Sequence, residues 1–419
     1  MERAFYFRDN HLHCEDVDLQ EFSLGVSTPY YLYSAQRIVN NCQTVLEAGK
    51  GLDFLPCYAL KANYNPQILK MVRELGFGAD VVSGGELQFA LKAGFPPEKI
   101  VFAGVGKQEW EIELAVQTGI HSLNIESEEE FDLVCRVTQH LQKTLRVAFR
   151  INPDIEAHTH DYITTGRHLN KFGIPLSEAL ALYERAAQEK FLQPVGVHVH
   201  IGSQILQARP FLEAAEYLRN IVKEIRRKGL EITTLDLGGG IGIDYEDDFS
   251  KPQRPYPLKE ILPQYLQALK DLNVTLAVEL GRSIIGDAGI LVSRVLYRKQ
   301  TPLKRFLIVD AAMNNLIRPS LYQAFHPIVP LTRKESPRDT FDVVGPVCES
   351  GDFLAKEREL PVLEPGDFIA VGGAGAYGQA LASVYNLRPL IAEYLVRGDA
   401  VQTIFKGQTI EDIAKQYEW

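Results

Sequence analysis

The chain has 419 residues, 46% of them hydrophobic, which is enough for a large core and for roughly two or three domains. Its formal net charge of −10 argues against a nucleic-acid partner, because binding to a phosphate backbone requires a basic face. Residues 1–13 contain no apolar segment of a secretory signal, and no run of about 18 apolar residues predicts a membrane span. The five scattered cysteines, without a CxxC pattern, are typical of a reduced, cytoplasmic protein.

Short apolar runs alternate with amphipathic helical patterns over the first two-thirds of the chain. Because strands that alternate with helices pair in parallel, these runs predict a (β/α)8, TIM-like barrel. A doubly wound sheet is the alternative, but it would carry a GxGxxG turn after an early strand, and this sequence has none. The eight predicted strands are 54–61, 79–83, 99–104, 122–125, 146–151, 194–202, 233–239 and 275–280.

The C-terminal third of the chain has a different pattern, in which apolar runs follow one another with turn residues between them. This pattern predicts a β-rich second domain, a sandwich or a barrel. The N-terminal residues predict a hairpin around Asp9 and Asn10 that joins the second domain. The predicted domains are residues 30–279 for the barrel, and 1–29 with 280–419 for the β-rich domain.

Residue types that carry chemistry fall at the ends of the predicted strands, where barrels of this kind place their active sites. The apolar run 54–60 ends in Lys61, which taken alone is an ordinary lysine at a strand end. Because other reactive residues converge on the same face, the sequence favours Lys61 as an amine that attacks a carbonyl. Those other residues are Asp80, Arg150, Asn152, His200, Gly238, Gly239, Gly240, Glu279 and Arg282.

The motif LDLGGGIG (235–242) lets backbone N–H groups approach an anion closely, although a tight turn is the alternative explanation. Barrels of this kind bind phosphate after strand seven, and Ser203 offers a hydroxyl donor nearby. A lysine, a phosphate cradle and the carboxylate of Glu279 together suggest pyridoxal phosphate, whose ring nitrogen the carboxylate would keep protonated. His200 would lie flat on the ring, unless it is an ordinary histidine at a strand end.

Two His-X-His pairs raise the alternative of a metal site, because alternate residues of a strand share one face. The pairs are His158 with His160 and His198 with His200. Metal-dependent barrels place such a pair on the first strand, where this sequence has Lys61. We therefore predict no metal.

Three segments of the second domain offer groups to a substrate. Arg318 and Tyr322, in IRPSLY, suit a carboxylate, since arginine donates two parallel hydrogen bonds and tyrosine one. GGAGAYG presents Tyr377 from a glycine-rich loop that a ligand can approach closely. VCESGD contains Cys348 and Glu349, and the cysteine taken alone is as well explained as buried filler.

The motifs YALKAN, ADVVSGGEL, HIGSQ, LDLGGGIG, ELGR, RPSLY, CESGD and GAYG occur in the order found in diaminopimelate decarboxylases. The chain resembles that family from about Tyr30 to Arg388, including the segment 150–174. The resemblance implies an alanine-racemase-like barrel with a C-terminal β-domain, and pyridoxal 5'-phosphate as cofactor. It implies decarboxylation of meso-2,6-diaminopimelate to L-lysine and CO2, the last step of lysine biosynthesis. It also implies a homodimer whose active sites are shared across the interface.

The same resemblance assigns roles to individual residues. Lys61 would form the Schiff base and His200 would stack on the ring. Cys348 would reach in with Glu349 from the partner subunit as the proton donor, with Tyr377 as the other candidate donor. Further cofactor contacts are expected from Asp80, Ser203, Gly239, Gly240, Glu279, Gly281, Arg282 and Tyr377. Substrate contacts are expected from Arg282, Arg318, Tyr322, Glu349 and Tyr377. The family usually reads EPGR where this chain has Leu280, which predicts altered rigidity rather than lost chemistry.

Other functions stay open at this point. A decarboxylase of another amino acid with a distal carboxylate, such as carboxynorspermidine, would share the cofactor motifs and differ in its distal pocket. The presence of Arg318 argues against substrates that end in a simple amine. A catalytically silent homologue that regulates a decarboxylase would be expected to lose Lys61 or Cys348, and both are present. A metal-dependent hydrolase is a further alternative, and a metal assay would distinguish it from a decarboxylase.

Overall fold

The computed structural model describes residues 3–153, 171–250 and 256–418. Contacts within the chain divide it into two compact units. The barrel unit comprises Cys42–Gly242 and Pro257–Ser283, and the sheet unit comprises Met1–Asn41, Ile243–Tyr256 and Ile284–Trp419. In these described ranges, no helix has both the length and the apolar character needed to cross a membrane.

After three short N-terminal strands, strands mostly alternate with helices up to residue 280, and the described residues beyond it are mostly in strands. The strands in chain order are β1 (Phe5–Arg8), β2 (His11–Cys14), β3 (Val17–Asp18), β4 (Tyr30–Ser34), β5 (Phe54–Ala59), β6 (Gly78–Val81), β7 (Ile100–Phe102), β8 (Ser122–Ile125), β9 (Leu145–Arg150), β10 (Leu192–His198), β11 (Thr234–Asp236), β12 (Thr275–Leu280), β13 (Gly289–Gln300), β14 (Arg305–Val309), β15 (Ile328–Pro330), β16 (Arg338–Val344), β17 (Phe353–Pro361), β18 (Phe368–Val371), β19 (Ala392–Arg397) and β20 (Ala400–Phe405). The α-helices are α1 (Leu19–Leu24), α2 (Ala35–Ala48), α3 (Pro66–Glu74), α4 (Gly84–Ala93), α5 (Glu109–Thr118), α6 (Glu128–Leu141), α7 (Leu176–Ala186), α8 (Arg209–Arg227), α9 (Pro257–Gln267), α10 (Arg282–Ile285), α11 (Arg318–Tyr322) and α12 (Ile410–Ala414).

Parallel strands β5 to β12 close into a barrel, with β12 pairing back to β5. This confirms the predicted (β/α)8 barrel, and each of the eight predicted strands is found. Strands of a parallel sheet that helices cover are buried on both faces, which explains their nearly continuous apolar sequences. Leu55, Cys57, Val101 and Ala277 form one buried apolar cluster of this unit.

Several barrel strands end earlier than the apolar runs suggest, among them β5, β10 and β11, because pairing stops where the backbone begins to turn. β5 ends at Ala59, so that Lys61 lies in the 3-10 turn Leu60–Ala62. β10 ends at His198, two residues before His200, and β11 ends before the triple glycine. The reactive residues therefore lie on loops at the carboxyl ends of the strands, where side chains can face a ligand.

Side-chain caps fix where several barrel helices begin. The side chains of Asn65, Ser83 and Ser127 accept backbone N–H groups in the first turns of α3, α4 and α6. A cap of this kind stabilises a helix by about 1 kcal/mol. α4 ends at Gly94, whose φ of +86° suits glycine. Because α3 and α4 begin close behind β5 and β6, these caps also hold the loops that carry the candidate site.

The sheet unit contains a nine-stranded mixed sheet and a small antiparallel sheet of β1, β2 and β3. The larger sheet has the order β17-β16-β14-β13-β4-β19-β20, while β18 pairs with both β13 and β15. Its core includes the buried side chains of Tyr30, Leu32 and Val292. The predicted hairpin is found between β1 and β2, with positive φ at Asp9 and Asn10. The β-rich second unit is therefore confirmed as a mixed-sheet architecture.

The compact units divide at Asn41 and Ser283, whereas the sequence places the domain limits at 29/30 and 279/280. The difference at the N-terminal side arises from β4, which pairs with β13 and β19 in the mixed sheet. A further segment, Ile243–Tyr256, belongs to the sheet unit although it lies between two barrel strands in sequence. Both features depend on long-range strand pairing and contacts, which a local sequence pattern does not encode.

Candidate active site

Lys61 and Asp80 form an ion pair at the carboxyl ends of β5 and β6. Lys61 Nζ lies 2.6 Å from Asp80 Oδ2, and the lysine side chain is 36% exposed whereas the aspartate side chain is fully buried. Burial and the negative charge of Glu279 raise the pKa of Asp80 to about 6, against the opposing effect of Lys61. A partly exposed amine beside a carboxylate that can take up a proton near neutral pH is suited to attack on a carbonyl.

The three glycines after β11 form a turn that leaves no room for side chains. A Cβ on Gly239 would lie 2.0 Å from the carbonyl oxygen of Glu279, and one on Gly240 would lie 2.3 Å from that of Gly202. Gly238 and Gly240 have φ of +61° and +100°, which glycine adopts without strain. The turn is therefore tight by necessity, and its bare backbone also allows close approach by a ligand.

His200 is held in one tautomer by this turn. The N–H of Gly239 donates to His200 Nδ1 at 3.2 Å, so a neutral ring carries its proton on Nε2. Burial, followed by the nearby charge of Arg150, lowers the pKa of His200 to about 3. Arg150 is itself fixed by Glu126, whose two carboxylate oxygens each lie 3.1 Å from Nη1. The result is a neutral imidazole, which can lie against an aromatic ring without adding a charge.

Arg282 and Ser203 place a guanidinium and a hydroxyl beside the glycine turn. Arg282 Nη2 donates to Ser203 Oγ at 3.1 Å, and the arginine is buried. Ser203 follows Gly202, whose carbonyl oxygen abuts Gly240. A guanidinium, a hydroxyl and bare backbone are the groups that bind phosphate in proteins.

His198, Asp236 and Glu279 form a buried cluster inside the barrel. His198 Nε2 lies 3.5 Å from Glu279 Oε1. Ligand atoms of the three residues all lie within 4.8 Å of one another, a spacing that a metal ion could also use. The other histidine pair considered from sequence, His158 with His160, lies outside the described residues.

In the sheet unit, Arg318 is buried and fixed by two aromatic neighbours. Its Nη1 donates to Tyr245 Oη at 2.8 Å and lies 2.9 Å from His326 Nε2. The carbonyl oxygen of Gly372 lies 2.8 Å from His326 Nδ1 and can only accept, so Nδ1 carries the proton and Nε2 accepts from Arg318. Tyr322 lies on the same short helix, α11. Sequence reasoning found Arg318 and Tyr322 but missed Tyr245 and His326.

Cys348 lies in an exposed bend of the sheet unit, which excludes the explanation of this cysteine as buried filler. Its backbone N–H donates to Asn386 Oδ1 at 2.8 Å. Asp352 organises the bend, because its buried carboxylate accepts the backbone N–H groups of Met313 and Val347. Tyr377, in the glycine-rich loop of the same unit, has φ of +56°, which is uncommon for a residue other than glycine.

Comparisons with known proteins decide the family. The family model described as "Pyridoxal-dependent decarboxylase, pyridoxal binding domain" matches residues 35–286. Diaminopimelate decarboxylase of Aquifex aeolicus is 44% identical over 98% of this chain and 96% of the relative. Diaminopimelate decarboxylase of Pseudomonas aeruginosa is 43% identical over 98% of this chain and 97% of the relative. The chain belongs to the diaminopimelate decarboxylases. This membership confirms the resemblance inferred from the ordered motifs.

Solved structures of diaminopimelate decarboxylases share the whole fold. The Helicobacter pylori enzyme complexed with L-lysine has a TM-score of 0.90 at 44% identity, covering 95% of this chain and 99% of that chain. The M. jannaschii enzyme, also in complex with L-lysine, has a TM-score of 0.91 at 35% identity, covering 99% and 98%. As a diaminopimelate decarboxylase, the chain is a carboxy-lyase that depends on pyridoxal phosphate.

The barrel residues fit this cofactor of the diaminopimelate decarboxylases. The phosphate of the cofactor would bind at the glycine turn, where the backbone is not covered by side chains and where Ser203 and Arg282 lie nearby. Lys61 supplies an amine that would react with the aldehyde group of the cofactor. Glu279 supplies a buried carboxylate, and its Oε1 has no hydrogen-bond partner among the described residues. Sequence reasoning found these residues because each lies at or after the carboxyl end of a strand, whereas it weighed His198 only as a metal ligand and did not single out Asp236.

Proposed function

We propose that this diaminopimelate decarboxylase converts meso-2,6-diaminopimelate to L-lysine and CO2, the last step of lysine biosynthesis. The observation that carries the proposal is the pair of Lys61 and Asp80, 2.6 Å apart, in a chain 44% identical to a diaminopimelate decarboxylase over nearly its full length. Solved relatives are complexed with L-lysine, which is the product of the proposed reaction.

When bound, pyridoxal phosphate accepts the electron pair that loss of CO2 leaves on the substrate carbon. Lys61 would hold the cofactor through its amine, with Asp80 taking up the released proton. Glu279 would meet the ring nitrogen, and His200 would lie against the ring in its neutral form. The phosphate and its surroundings would be bound by Ser203, Gly239, Gly240, Gly281, Arg282 and Tyr377.

The proposed substrate has an amino-acid group at each end, and the sheet unit carries side chains that suit the distal one. Arg318 and Tyr322 would bind the distal carboxylate, and Glu349 would bind the distal ammonium. The fixed orientation of Arg318, between Tyr245 and His326, supports this role because a preorganised guanidinium loses little freedom on binding. Arg282 and Tyr377 would contact the substrate as well as the cofactor.

The proton that replaces CO2 would come from Cys348 Sγ, with Tyr377 Oη as the second candidate. We propose that the protein is a homodimer in which Cys348 and Glu349 serve the site of the partner subunit. The exposure of Cys348 supports this, since a buried thiol could not serve a second chain. We also assign the protein to the cytoplasm, in keeping with five cysteines that are all free.

The test is an absorbance spectrum of purified protein with pyridoxal phosphate, followed by addition of meso-2,6-diaminopimelate and measurement of CO2 and L-lysine. A visible band of the lysine-bound cofactor should form, and it should be lost in Lys61→Ala. Lys92→Ala is the matched control, because Lys92 lies in the last turn of α4. L-Ornithine, which lacks a distal carboxylate, should give little CO2.

The possible outcomes separate the parts of the proposal. A band with release of L-lysine establishes both cofactor and substrate. A band without L-lysine keeps the cofactor and moves the function to another amino acid with a distal carboxylate. A spectrum that is the same in Lys61→Ala and in the unaltered protein would remove Lys61 from the mechanism.

A further inference from the structure

His198, Asp236 and Glu279 come from three successive barrel strands and bring three titratable groups together in the interior. They are 1%, 1% and 5% exposed. His198 and Asp236 are directly paired in the register of β10 and β11, and β12 carries Glu279 beside them. The three side chains are therefore removed from bulk solvent, and nearby charges decide which of them is ionised.

The contacts within the cluster tie it to the glycine turn. Asp236 Oδ1 accepts the N–H of Gly238 at 3.1 Å, and its Oδ2 accepts an N–H of Asn124 at 3.1 Å. His198 Nε2 and Glu279 Oε1 lie 3.5 Å apart, which is an ion-pair separation rather than a directed hydrogen bond. Asp236 thus has fixed donors, whereas Glu279 faces the ring of His198.

The charges of the three groups are unequal. Burial and the neighbouring Glu279 raise the pKa of Asp236 to about 7. Burial alone would raise the pKa of Glu279, but the charges of His198 and Lys61 bring it below the usual range. Burial alone would lower the pKa of His198, but Glu279 and Asp236 raise it. These directions favour a positive charge on His198 and a negative charge on Glu279, and they make Asp236 the carboxyl of the cluster that more readily holds a proton.

We propose that His198 is a positioning residue whose positive charge keeps Glu279 ionised and oriented for the ring nitrogen of the cofactor. The proposal rests on the proposed function, since it takes the role of Glu279 toward that nitrogen as given. Asp236 would act as the neutral member that links the pair to the glycine turn. Other charged or titratable groups that act on the cluster are Lys61, Asp80, Arg150, His200, Cys57 and Tyr265.

The need to keep Glu279 ionised accounts for a histidine that is buried inside the barrel, at 1% exposure. A carboxylate placed alone in the interior would take up a proton and lose the charge that the ring nitrogen requires. A cation on β10, two strands from β12 in the barrel order and 3.5 Å from the carboxylate, prevents this. His198 and His200, two residues apart, would then differ in charge. His198 would be cationic beside Glu279, and His200 would be neutral beside Arg150.

The test compares cofactor affinity in His198→Gln with that of the unaltered protein, by titrating the cofactor-free form with pyridoxal phosphate and following the visible band. We expect His198→Gln to weaken binding by about tenfold or more, because a pKa change of one unit corresponds to a factor of ten. His121→Gln is the matched control. His121 is a second buried histidine of the barrel unit, and its ring nitrogens lie 3.1 Å from the carbonyl oxygen of Glu98 and 3.5 Å from Thr234 Oγ1.

A double variant separates charge from packing. In a Glu279→Gln background, His198→Gln should weaken binding by no more than about twofold, because no carboxylate is left to be ionised. An equal loss in both backgrounds would assign His198 to packing and overturn the proposal. A second measurement covers a variant that fails to fold. In the intact holoenzyme, magnetic resonance of isotope-labelled histidine should show both ring nitrogens of His198 protonated near neutral pH, and a neutral ring would also overturn the proposal.

Two further outcomes distinguish failure of this inference from failure of the proposed function. If the unaltered protein binds pyridoxal phosphate and His198→Gln binds it equally well, only the role of His198 is wrong. If the unaltered protein forms no band with pyridoxal phosphate, the proposed function fails and this inference fails with it. Stoichiometric metal in the purified holoenzyme that is lost in His198→Gln would make the cluster a metal site instead.

Discussion

Lys61 Nζ lies 2.6 Å from Asp80 Oδ2, and the lysine reaches from the turn after β5 to the aspartate on the neighbouring parallel strand β6. The carboxylate of Asp80 is fully buried, and burial and the negative charge of Glu279 both raise its pKa. The positive charge of Lys61 lowers that pKa. The net result is a pKa of about 6 for Asp80, so this carboxylate can accept a proton near neutral pH. The lysine at the end of the first apolar run is thus held in an ion pair with a buried carboxylate.

Replacing Asp80 by Asn should slow the capture of pyridoxal phosphate by Lys61 without abolishing it. The amine stays in place, but the nearby group that takes up its proton is gone, and a general base contributes roughly 10²-fold or more. Stopped-flow absorbance after mixing cofactor-free protein with pyridoxal phosphate measures this rate. In the unaltered protein the rate should rise with pH through about 6, as Asp80 ionises, and Asp80→Asn should lack that rise.

Asp53→Asn serves as the control for Asp80→Asn. Asp53 is an exposed carboxylate that accepts a hydrogen bond from Thr275, before the start of β5. Its replacement should leave both the rate and the pH profile unchanged. Equal rates in Asp80→Asn and in the unaltered protein would show that water, rather than Asp80, takes the proton.

Replacing Gly239 by Ala should destabilise the barrel and weaken cofactor binding together. The new Cβ would lie 2.0 Å from the carbonyl oxygen of Glu279, so the backbone of β12 or of the turn must move. A steric insertion of this kind costs roughly 1–3 kcal/mol of unfolding free energy. Gly106→Ala is the matched control, because a Cβ at Gly106 meets nothing within 4 Å. Thermal melting and cofactor titration of both variants measure the effect, and equal behaviour of the two would contradict it.

The sequence identified the part of the site that depends on local order along the chain. Lys61, His200, the glycine turn and Glu279 each lie at or just after the end of an apolar run of strand length, so the barrel pattern alone places them at one end. The link between His198, Asp236 and Glu279 depends instead on the register of three strands. The neighbours of Arg318 are likewise distant, since Tyr245 lies 73 positions away in the chain. Such pairings follow from tertiary packing and leave no local signal.

Replacing Tyr245 by Phe should raise the KM for meso-2,6-diaminopimelate and leave kcat nearly unchanged. The phenol oxygen accepts a hydrogen bond from Arg318 at 2.8 Å, so its loss lets the guanidinium move before substrate binds. A hydrogen bond to a charged group contributes about 1.5–3 kcal/mol, of which part is lost here, and we expect roughly a tenfold rise in KM. Arg318→Lys should raise KM further, because lysine lacks the planar pair of donors.

Tyr297→Phe is the control for Tyr245→Phe, since Tyr297 is an exposed tyrosine of the same unit. Steady-state kinetics with the natural substrate separate KM from kcat. A fall in kcat with unchanged KM in Tyr245→Phe would place Arg318 in the chemical step rather than in binding the distal carboxylate.

Glu86 should make the protein less stable as the pH rises, and Glu86→Gln should remove this effect. Burial raises the pKa of Glu86 from an ordinary value of 4.5 to about 7, although the N–H of Val82 donates to its carboxylate. The folded state therefore holds a proton that the unfolded chain has already lost between pH 4.5 and about 7. Across that window, stability falls with rising pH by up to about 1.4 kcal/mol per unit for one proton.

Urea unfolding at a series of pH values measures this contribution. Glu86→Gln should flatten the profile within that window and gain stability relative to the unaltered protein at the upper end. Glu74→Gln, at an exposed position of α3, should leave the profile unchanged. A profile that keeps its slope in Glu86→Gln would mean that another carboxyl, such as Asp236 or Asp80, dominates the pH dependence.

Cys348 should be the one thiol per chain that reacts rapidly with an alkylating reagent in the native protein. The other four cysteines are buried, and burial raises the pKa of each of them above the usual range for a thiol. Native protein should therefore consume about one equivalent of reagent, whereas Cys348→Ser should consume almost none. If Cys348 serves the site of a partner subunit, saturating pyridoxal phosphate and L-lysine should slow the labelling. A labelling rate that is the same with and without the two ligands would show that Cys348 does not lie in the active site. Rapid reaction of a second thiol would contradict the burial of the other cysteines.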